Sequence, residues 1–280
     1  MIVVTGATGK VGQPLVRALV EAGEDVTAVS RNVPARNVPA RDLPPGVRHH
    51  RADLAEPEQL KPALDGADAL FLLTSGEFIG SGGDLGPALD TARAAGVGRV
   101  VLLSSQGVGT GHHPPVLEDA VRASGLDWTL LRPGGFHSNT LLWADTVRTR
   151  REVVAPFGDV ALPTIDPADI AGAAAATLRG SGHTGRIYDL TGPAPITPRK
   201  QTAAIQQALG EPVRFVEQSR SEARAHMLAF MPEPVVESTL DMLGTPPPAL
   251  RRVSPDTELL LGRPARPFAH WALTNAAAFR

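Results

Sequence analysis

The chain has 280 residues, 42% apolar and 20% charged, with a net charge of −2. These are ordinary proportions for a globular protein built as one large domain, or as a domain with a smaller lobe. So small a net charge leaves no basic footprint for nucleic acid, and the absence of cysteine excludes disulfides and thiolate metal sites. No apolar run approaches membrane-spanning length, and the opening "MIVVTGATG" lacks the basic and long apolar stretches of a secretory signal. The expectation is a cytoplasmic protein with neither nucleic acid nor membrane as partner.

In chain order, short apolar runs predict strands over residues 2–5, 25–30, 47–51, 69–73, 100–104 and 128–132. Between them, helical patterns occupy residues 11–22, 57–64, 84–95 and 116–123. Alternation at this spacing predicts βαβ units and a Rossmann-type, doubly wound parallel sheet, with ligands at the carboxyl ends of the strands. Past Arg132 the rhythm changes. "PGGFHSNTLLWADTVRTR" reads as a turn and a helix, and "TIDPADIAGAAAATLRG" as a helix capped by Asp166 with Pro167 in its first turn. "GRIYDLTG" reads as a strand able to rejoin the sheet. The expected division is a cofactor domain over residues 1–135, rejoined by 163–191, and a smaller α/β substrate lobe over 192–280, with 136–162 contributing to the cleft. The tandem "RNVPARNVPAR" is too short to be an architecture and predicts a lengthened surface loop.

"IVVTGATGKVG" places Gly6, Gly9 and Gly12 between the first strand and the first helix. In that context the first glycine permits the tight turn, the second admits a pyrophosphate, and the third lets helix and strand pack closely. At the end of the second strand, where NAD-specific folds carry an acid, stand Ser30 and Arg31. Arg31 either meets the 2′-phosphate of NADP(H) or is a solvated loop charge. With no carboxylate there to repel a phosphate, NADP(H) is the expected cofactor and NAD(H) stays usable. Asp53, after the third strand, either reaches the adenine or orients its loop.

A short-chain dehydrogenase places a serine after the fifth strand and then a Tyr-x-x-x-Lys pair. Ser104 and Ser105 are present, but the sole tyrosine is Tyr188 and no lysine lies between Lys61 and Lys200. Either serine can bond a ribose or a substrate oxygen, or satisfy the strand end. His112 and His113 follow a glycine-rich loop and can donate a proton near neutral pH, or face solvent. His137 and Asn139 follow the "RPGG" turn, where side chains are expected to face the nicotinamide or substrate. Glu118 can orient His113 or complement the start of its helix. His49 and His50 alternate on a strand and so cannot form a metal pair, and no spacing supports a metal site. Phe136, Trp143, Met227, Phe230 and Met231 can wall an aromatic pocket or fill cores.

Together "VTGATGKVG", "RADLAEPEQL", "VVLLSSQGV" and "RASGLDWTLLRPGGFHSN" resemble the NmrA-like family of atypical short-chain dehydrogenases, including its quinone reductase branch. The resemblance implies a phosphate loop of Gly6, Thr8, Gly9, Lys10, Val11 and Gly12. It implies Ser30 and Arg31 at the 2′-phosphate, Asp53 and Leu54 at the adenine, and Leu73, Thr74 and Ser75 under the nicotinamide ribose. Ser104 would lie beside the cofactor, and Pro133 and Phe136 would belong to a turn closing over the nicotinamide. Quinone reductases of this family also lack the Tyr-Lys pair. A hydride acceptor that leaves a phenolate-like anion, pKa about 10, needs that acid far less than a simple ketone does. The expected function is thus NADPH-dependent reduction of a quinone or related conjugated, aromatic ketone by a monomer or homodimer. Ser105, His112, His113 and His137 are the candidate catalytic groups. A tailoring step on an aromatic natural product is a natural setting. The alternatives are a non-catalytic NADP(H)-sensing regulator and a non-reductive tailoring enzyme.

Overall fold

The computed structural model of the chain describes residues 1–31 and 43–280. The tandem repeat beyond Arg31, and with it the expected surface loop, lies outside the described residues. Nine strands form among the described residues: β1 (Ile2–Thr5), β2 (Val26–Ser30), β3 (Arg48–Arg51), β4 (Ala69–Leu72), β5 (Arg99–Leu103), β6 (Asp127–Pro133), β7 (Glu152–Pro156), β8 (Arg186–Leu190) and β9 (Arg214–Gln218). Seven of them make one sheet in the order β3-β2-β1-β4-β5-β6-β8, every pair parallel. The order reverses between β1 and β4, as a doubly wound fold requires. β7 and β9 pair parallel in a second, two-stranded sheet.

The central strands are apolar throughout because helices cover both faces of the sheet. Successive side chains go to opposite sides. Ile2, Val4, Phe71 and Val101 pack with helices Gly12–Glu21 and Pro167–Arg179. Val3, Leu70, Leu72, Val100 and Leu102 pack with helix Gly86–Ala94 and with Val121. In Pro167–Arg179 the Asp166 carboxylate accepts from the Ala168 N–H at 2.8 Å, the expected cap. A third core, around Val147, Val153, Ile205, Phe268, Trp271 and Phe279, binds the second sheet to the C-terminal helices.

Three local departures have identifiable causes. The helix expected over residues 57–64 is a 3-10 turn, Pro57–Leu60, followed by a single α turn, Lys61–Leu64. Pro62 has no N–H to continue the hydrogen-bond ladder across that junction. Two short helices, Gly76–Gly80 and Gln106–Gly109, form where no periodicity announced them, each started by a serine: Ser75 Oγ accepts from Phe78 N and Ser105 Oγ from Gly107 N. Finally, the turn and helix after Pro133 begin as a 3-10 segment, His137–Trp143, before the α-helix Ala144–Arg150.

The C-terminal residues are tied back to the sheet domain by Asp169. Its fully buried carboxylate accepts from Arg263 Nη2 at 2.7 Å, Arg266 Nη1 at 2.9 Å and the Arg266 N–H at 2.6 Å. Both arginines keep partial contact with water, so Asp169→Ala is expected to cost about 2–3 kcal/mol, somewhat less than the roughly 3–5 kcal/mol of breaking a fully buried ion pair. Urea unfolding of the variant checks this. A loss below about 0.5 kcal/mol, the level of an ordinary surface change, would show that the tether contributes little.

Candidate functional site

The site begins where β1 runs out. Thr5 Oγ1 donates to the Phe71 carbonyl at 3.0 Å and accepts from the Leu73 N–H at 2.9 Å, fixing the end of β4 beside the loop that follows β1. Gly6 then turns with φ +62°, which glycine adopts without steric cost. A Cβ on Gly12 would stand closer than 3.0 Å to the Gly6 carbonyl oxygen, and one on Gly6 would press on Leu73 Cδ2 at 2.9 Å. The loop is therefore folded as tightly as the backbone allows. Helix Gly12–Glu21 follows with no side-chain cap and no acidic residue in its first turn, leaving its start open to an anion.

Beside this loop lies a pocket of about 220 Å³. Of the residues expected at the cofactor, Gly6, Thr8, Gly9, Ser30, Arg31, Asp53, Leu54, Leu73 and Ser75 line it. Val29, Ala52, Leu60 and Phe78 complete its wall, an apolar lining that sequence motifs did not single out. Val11 and Gly12 are buried behind the loop and shape it from within. Lys10 turns the other way, its Nζ donating to the Ser138 carbonyl at 3.3 Å and so linking the loop to the His137–Trp143 segment. Arg31 pairs with Glu77 at 2.5 Å, and Ser30 Oγ shares a hydrogen bond with His49 Nε2 at 2.8 Å. His50 lies on the other side of β3, bonded to the Gln59 carbonyl. Thr74 lies between Leu73 and Ser75 of the lining and is partly buried. Tight turn, open helix start and adjoining pocket fit a dinucleotide.

Around the ends of β5 and β6 the polar groups are committed to one another. Glu118 is 1% exposed; it accepts from Ser104 Oγ at 2.6 Å, from Arg132 Nε and Nη2 at 2.8 and 2.6 Å, and from Arg122 Nη2 at 2.8 Å. Burial opposes its charge, but the hydrogen bonds from Arg132 and Ser104 and the two guanidinium charges outweigh it, so its carboxyl titrates below the ordinary range. Glu118 thus anchors Ser104 and Arg132, and makes no bond to His113 among the described residues. The Ser104 proton is held by a carboxylate, which leaves Ser104 only an acceptor's role toward any ligand.

The candidate catalytic groups fall in different places. Ser105 caps its short helix. His112 shares a hydrogen bond through Nδ1 with Thr110 Oγ1 at 3.0 Å, while its carbonyl accepts from Ser238 Oγ of the C-terminal region. His113 packs so closely on Gly107 that a Cβ there would collide with its ring, and burial, then the neighbouring His112, lowers its pKa. His137 does not join them. It is 1% exposed, tilted 48° against Phe268 at 5.2 Å and edge-on to Trp271 at 6.3 Å, with neither ring nitrogen hydrogen-bonded among the described residues. Desolvation pushes its pKa down to about 3. Asn139 of the same segment is exposed.

Pro133 is buried at the end of β6, opposite Leu190 of β8, and Phe136 packs on the sheet core. The five residues expected as one aromatic wall are dispersed: Trp143 packs on the third core, Met227 and Met231 on a small cluster around Val236 and Leu240, and Phe230 is exposed. Tyr188 bonds His183 Nδ1 at 2.8 Å on β8. One residue went unnoticed in the sequence. Gln106 is 8% exposed at the carboxyl end of β5, its Oε1 3.0 Å from where a Cβ on Gly134 would stand. Its side-chain amide has no hydrogen-bond partner among the described residues, and only the absence of a side chain at Gly134 leaves it room. No group of three metal-ligating side chains occurs among the described residues, nor does any helix there have the length and apolarity to cross a membrane.

The family model for NAD(P)H-binding proteins matches residues 6–180. Over its full length the chain is 38% identical to a (4-alkanoyl-5-oxo-2,5-dihydrofuran-3-yl)methyl phosphate reductase of Streptomyces griseus, covering 99% of that protein. It is 35% identical to an NAD(P)H azoreductase of Xenophilus azovorans, again over all of this chain and 99% of the relative. The NADPH complex of the Escherichia coli quinone oxidoreductase QOR2 superposes with a TM-score of 0.78 at 26% identity, covering 97% of this chain and 98% of that one. The chain belongs to this NAD(P)H-binding family. It is an NAD(P)H-dependent oxidoreductase.

Two outcomes follow for the site. Gly12→Ala is expected to displace the loop and weaken NADPH binding at least tenfold, about 1.4 kcal/mol, read by fluorescence titration; unchanged affinity would show that the nucleotide lies elsewhere. His137 must stay neutral in the folded chain, whereas in the unfolded chain it titrates near 6.5. Its contribution to stability is full above pH 6.5 and is lost as pH falls toward 3. Between pH 6.5 and 5 that loss is about 2 kcal/mol by linkage. Urea unfolding at pH 7.5 and 5 is expected to show this fall in the wild type and a shallower one in His137→Phe; equal falls would locate the acid sensitivity elsewhere.

Proposed function

We propose that the protein is an NADPH-dependent reductase that delivers hydride to a quinone or a related conjugated carbonyl compound, without a dedicated proton donor. One observation carries this reading. The serine after β5 has its proton committed to Glu118, and the Tyr-Lys pair that would complete a ketone reductase is absent from the sequence. NADPH supplies the hydride. The chain's part is to hold the acceptor and to stabilise the oxygen on which negative charge develops. A conjugated acceptor spreads that charge, so neutral donors suffice where a simple ketone needs an acid.

Two groups beside β5 suit that task. The Gln106 amide can donate to an oxyanion without losing a proton. His113, neutral at physiological pH because burial lowers its pKa, can donate through a ring N–H. The names of the relatives support an electron-poor, conjugated or azo acceptor. Arg31 and Ser30 in the lining, with no carboxylate following β2, support NADP(H) over NAD(H). The return of β8 to β6, and the pairing of β7 with β9, support reading residues 1–135 with 163–191 as the cofactor domain. On that reading residues 192–280, with 136–162, form the substrate lobe of a cytoplasmic monomer or homodimer.

Steady-state oxidation of NADPH against quinones, conjugated carbonyls and simple ketones tests the proposal. Turnover is expected with the first two classes. Gln106→Leu should lower kcat about 10²-fold, as for loss of an oxyanion donor, with NADPH affinity unchanged. His113→Gln should cost less than the 10²–10⁴-fold typical of a general acid. Strong ketone turnover that collapses in His113→Gln would overturn the reading. Tight NADPH binding with no turnover of any acceptor would replace it with a sensor.

A further inference from the structure

The cofactor pocket has an acidic group at its mouth that does not come from the strand where nucleotide specificity is usually read. Arg31, directly after β2, is half exposed and lines the pocket. Its Nη1 donates to Glu77 Oε2 at 2.5 Å. Glu77 belongs to the short helix Gly76–Gly80, which follows β4, on the far side of β1 from β2. That helix is not loosely attached. Ser75 lines the pocket and caps the Phe78 N–H at 3.1 Å, and Phe78 is buried in the same wall. Gly83 lies so close over the Phe78 ring that a Cβ there would collide with it. The backbone carrying Glu77 is thus fixed to the pocket wall.

A 2′-phosphate would bring a charge of about −1.5 to −2 and three acceptor oxygens to Arg31. It would share the guanidinium with Glu77, which engages only Nη1, and so would sit about one guanidinium width away from that carboxylate. A 2′-hydroxyl brings no charge and can donate to a carboxylate. The ion pair itself is cheap to open, because both side chains are largely in water, Glu77 being 77% exposed. The carboxylate's charge does not leave with the bond, and at physiological salt its field still reaches a group within about 8 Å. Glu77 therefore contributes little by holding Arg31 in place, and more by opposing a second anion beside it. Asp53, also in the lining, adds its charge at Arg31 in the same sense.

We infer that Glu77 is a specificity-determining residue that holds the preference for NADPH over NADH below what Arg31 alone would give, keeping both nucleotides usable. This rests on the reading that Arg31 faces the 2′ position. The test is the ratio of NADH to NADPH dissociation constants, titrated by nucleotide fluorescence on the wild type, Glu77→Gln, Glu77→Lys and Arg31→Ala. At low salt, Glu77→Gln is expected to raise the ratio about three- to tenfold, mainly through tighter NADPH binding, with Glu77→Lys raising it further. Both gains should shrink at 0.5 M salt. Arg31→Ala should collapse the ratio toward one. If Arg31→Ala collapses the ratio but Glu77→Gln leaves it unchanged or lowers it, Glu77 is no brake and the inference is overturned. If Arg31→Ala leaves the ratio intact, the assignment of Arg31 to the 2′ position is wrong and the inference falls with it.

Discussion

The Gly6 carbonyl oxygen occupies the space that a side chain at position 12 would need, and the rest of the site depends on that close approach. It draws the start of helix Gly12–Glu21, which has no side-chain cap, against the end of β1 and beside the pocket. Thr5 continues the same constraint sideways. By bonding both the Phe71 carbonyl and the Leu73 N–H, it brings the chain after β4 against Gly6 and closes one wall. Ser30, Arg31 and Asp53 then enter from the ends of β2 and β3, set in place by the parallel pairing of β1 with β2 and of β2 with β3.

At the carboxyl ends of β5 and β6 the organising group is Glu118. A buried carboxylate is costly unless paired and fully hydrogen-bonded, and here Ser104, Arg122 and Arg132 supply four donors. The cluster ties β5, β6 and helix Val116–Ala123 together at their active ends. It also takes Ser104 out of acid chemistry. On the proposed reading, a substrate oxygen would meet a Gln106 amide that has no hydrogen-bond partner among the described residues and a partly buried His113 imidazole whose pKa is lowered by burial. Such a site suits acceptors whose reduced form tolerates negative charge.

Much of this was legible in the sequence because its causes are local. Glycine spacing after an apolar run, aspartate before a helix, and short continuous apolar runs all act within a few residues, and the parallel sheet follows from them. The Glu118 cluster was not legible, since Ser104 and Arg132 each lie 14 positions from Glu118 and meet only when two strands and a helix converge. Nor was the direction of His137. A helix pattern of 3.6 residues assigns faces differently from the 3-10 turn that forms, and that turn carries the imidazole into the core of Phe268 and Trp271. Gln106 and Glu77 stand on helices of four and five residues, too short for any periodicity to reveal.

The central claim is that hydride transfer here needs no titrating acid. Stopped-flow oxidation of enzyme-bound NADPH by a saturating quinone, from pH 7.5 to 9, measures that directly. The expected rate constant is flat across the range, because neither the Gln106 amide nor a neutral His113 changes charge within it. A rate constant falling about tenfold per pH unit above a single pKa, the signature of a required general acid, would contradict it.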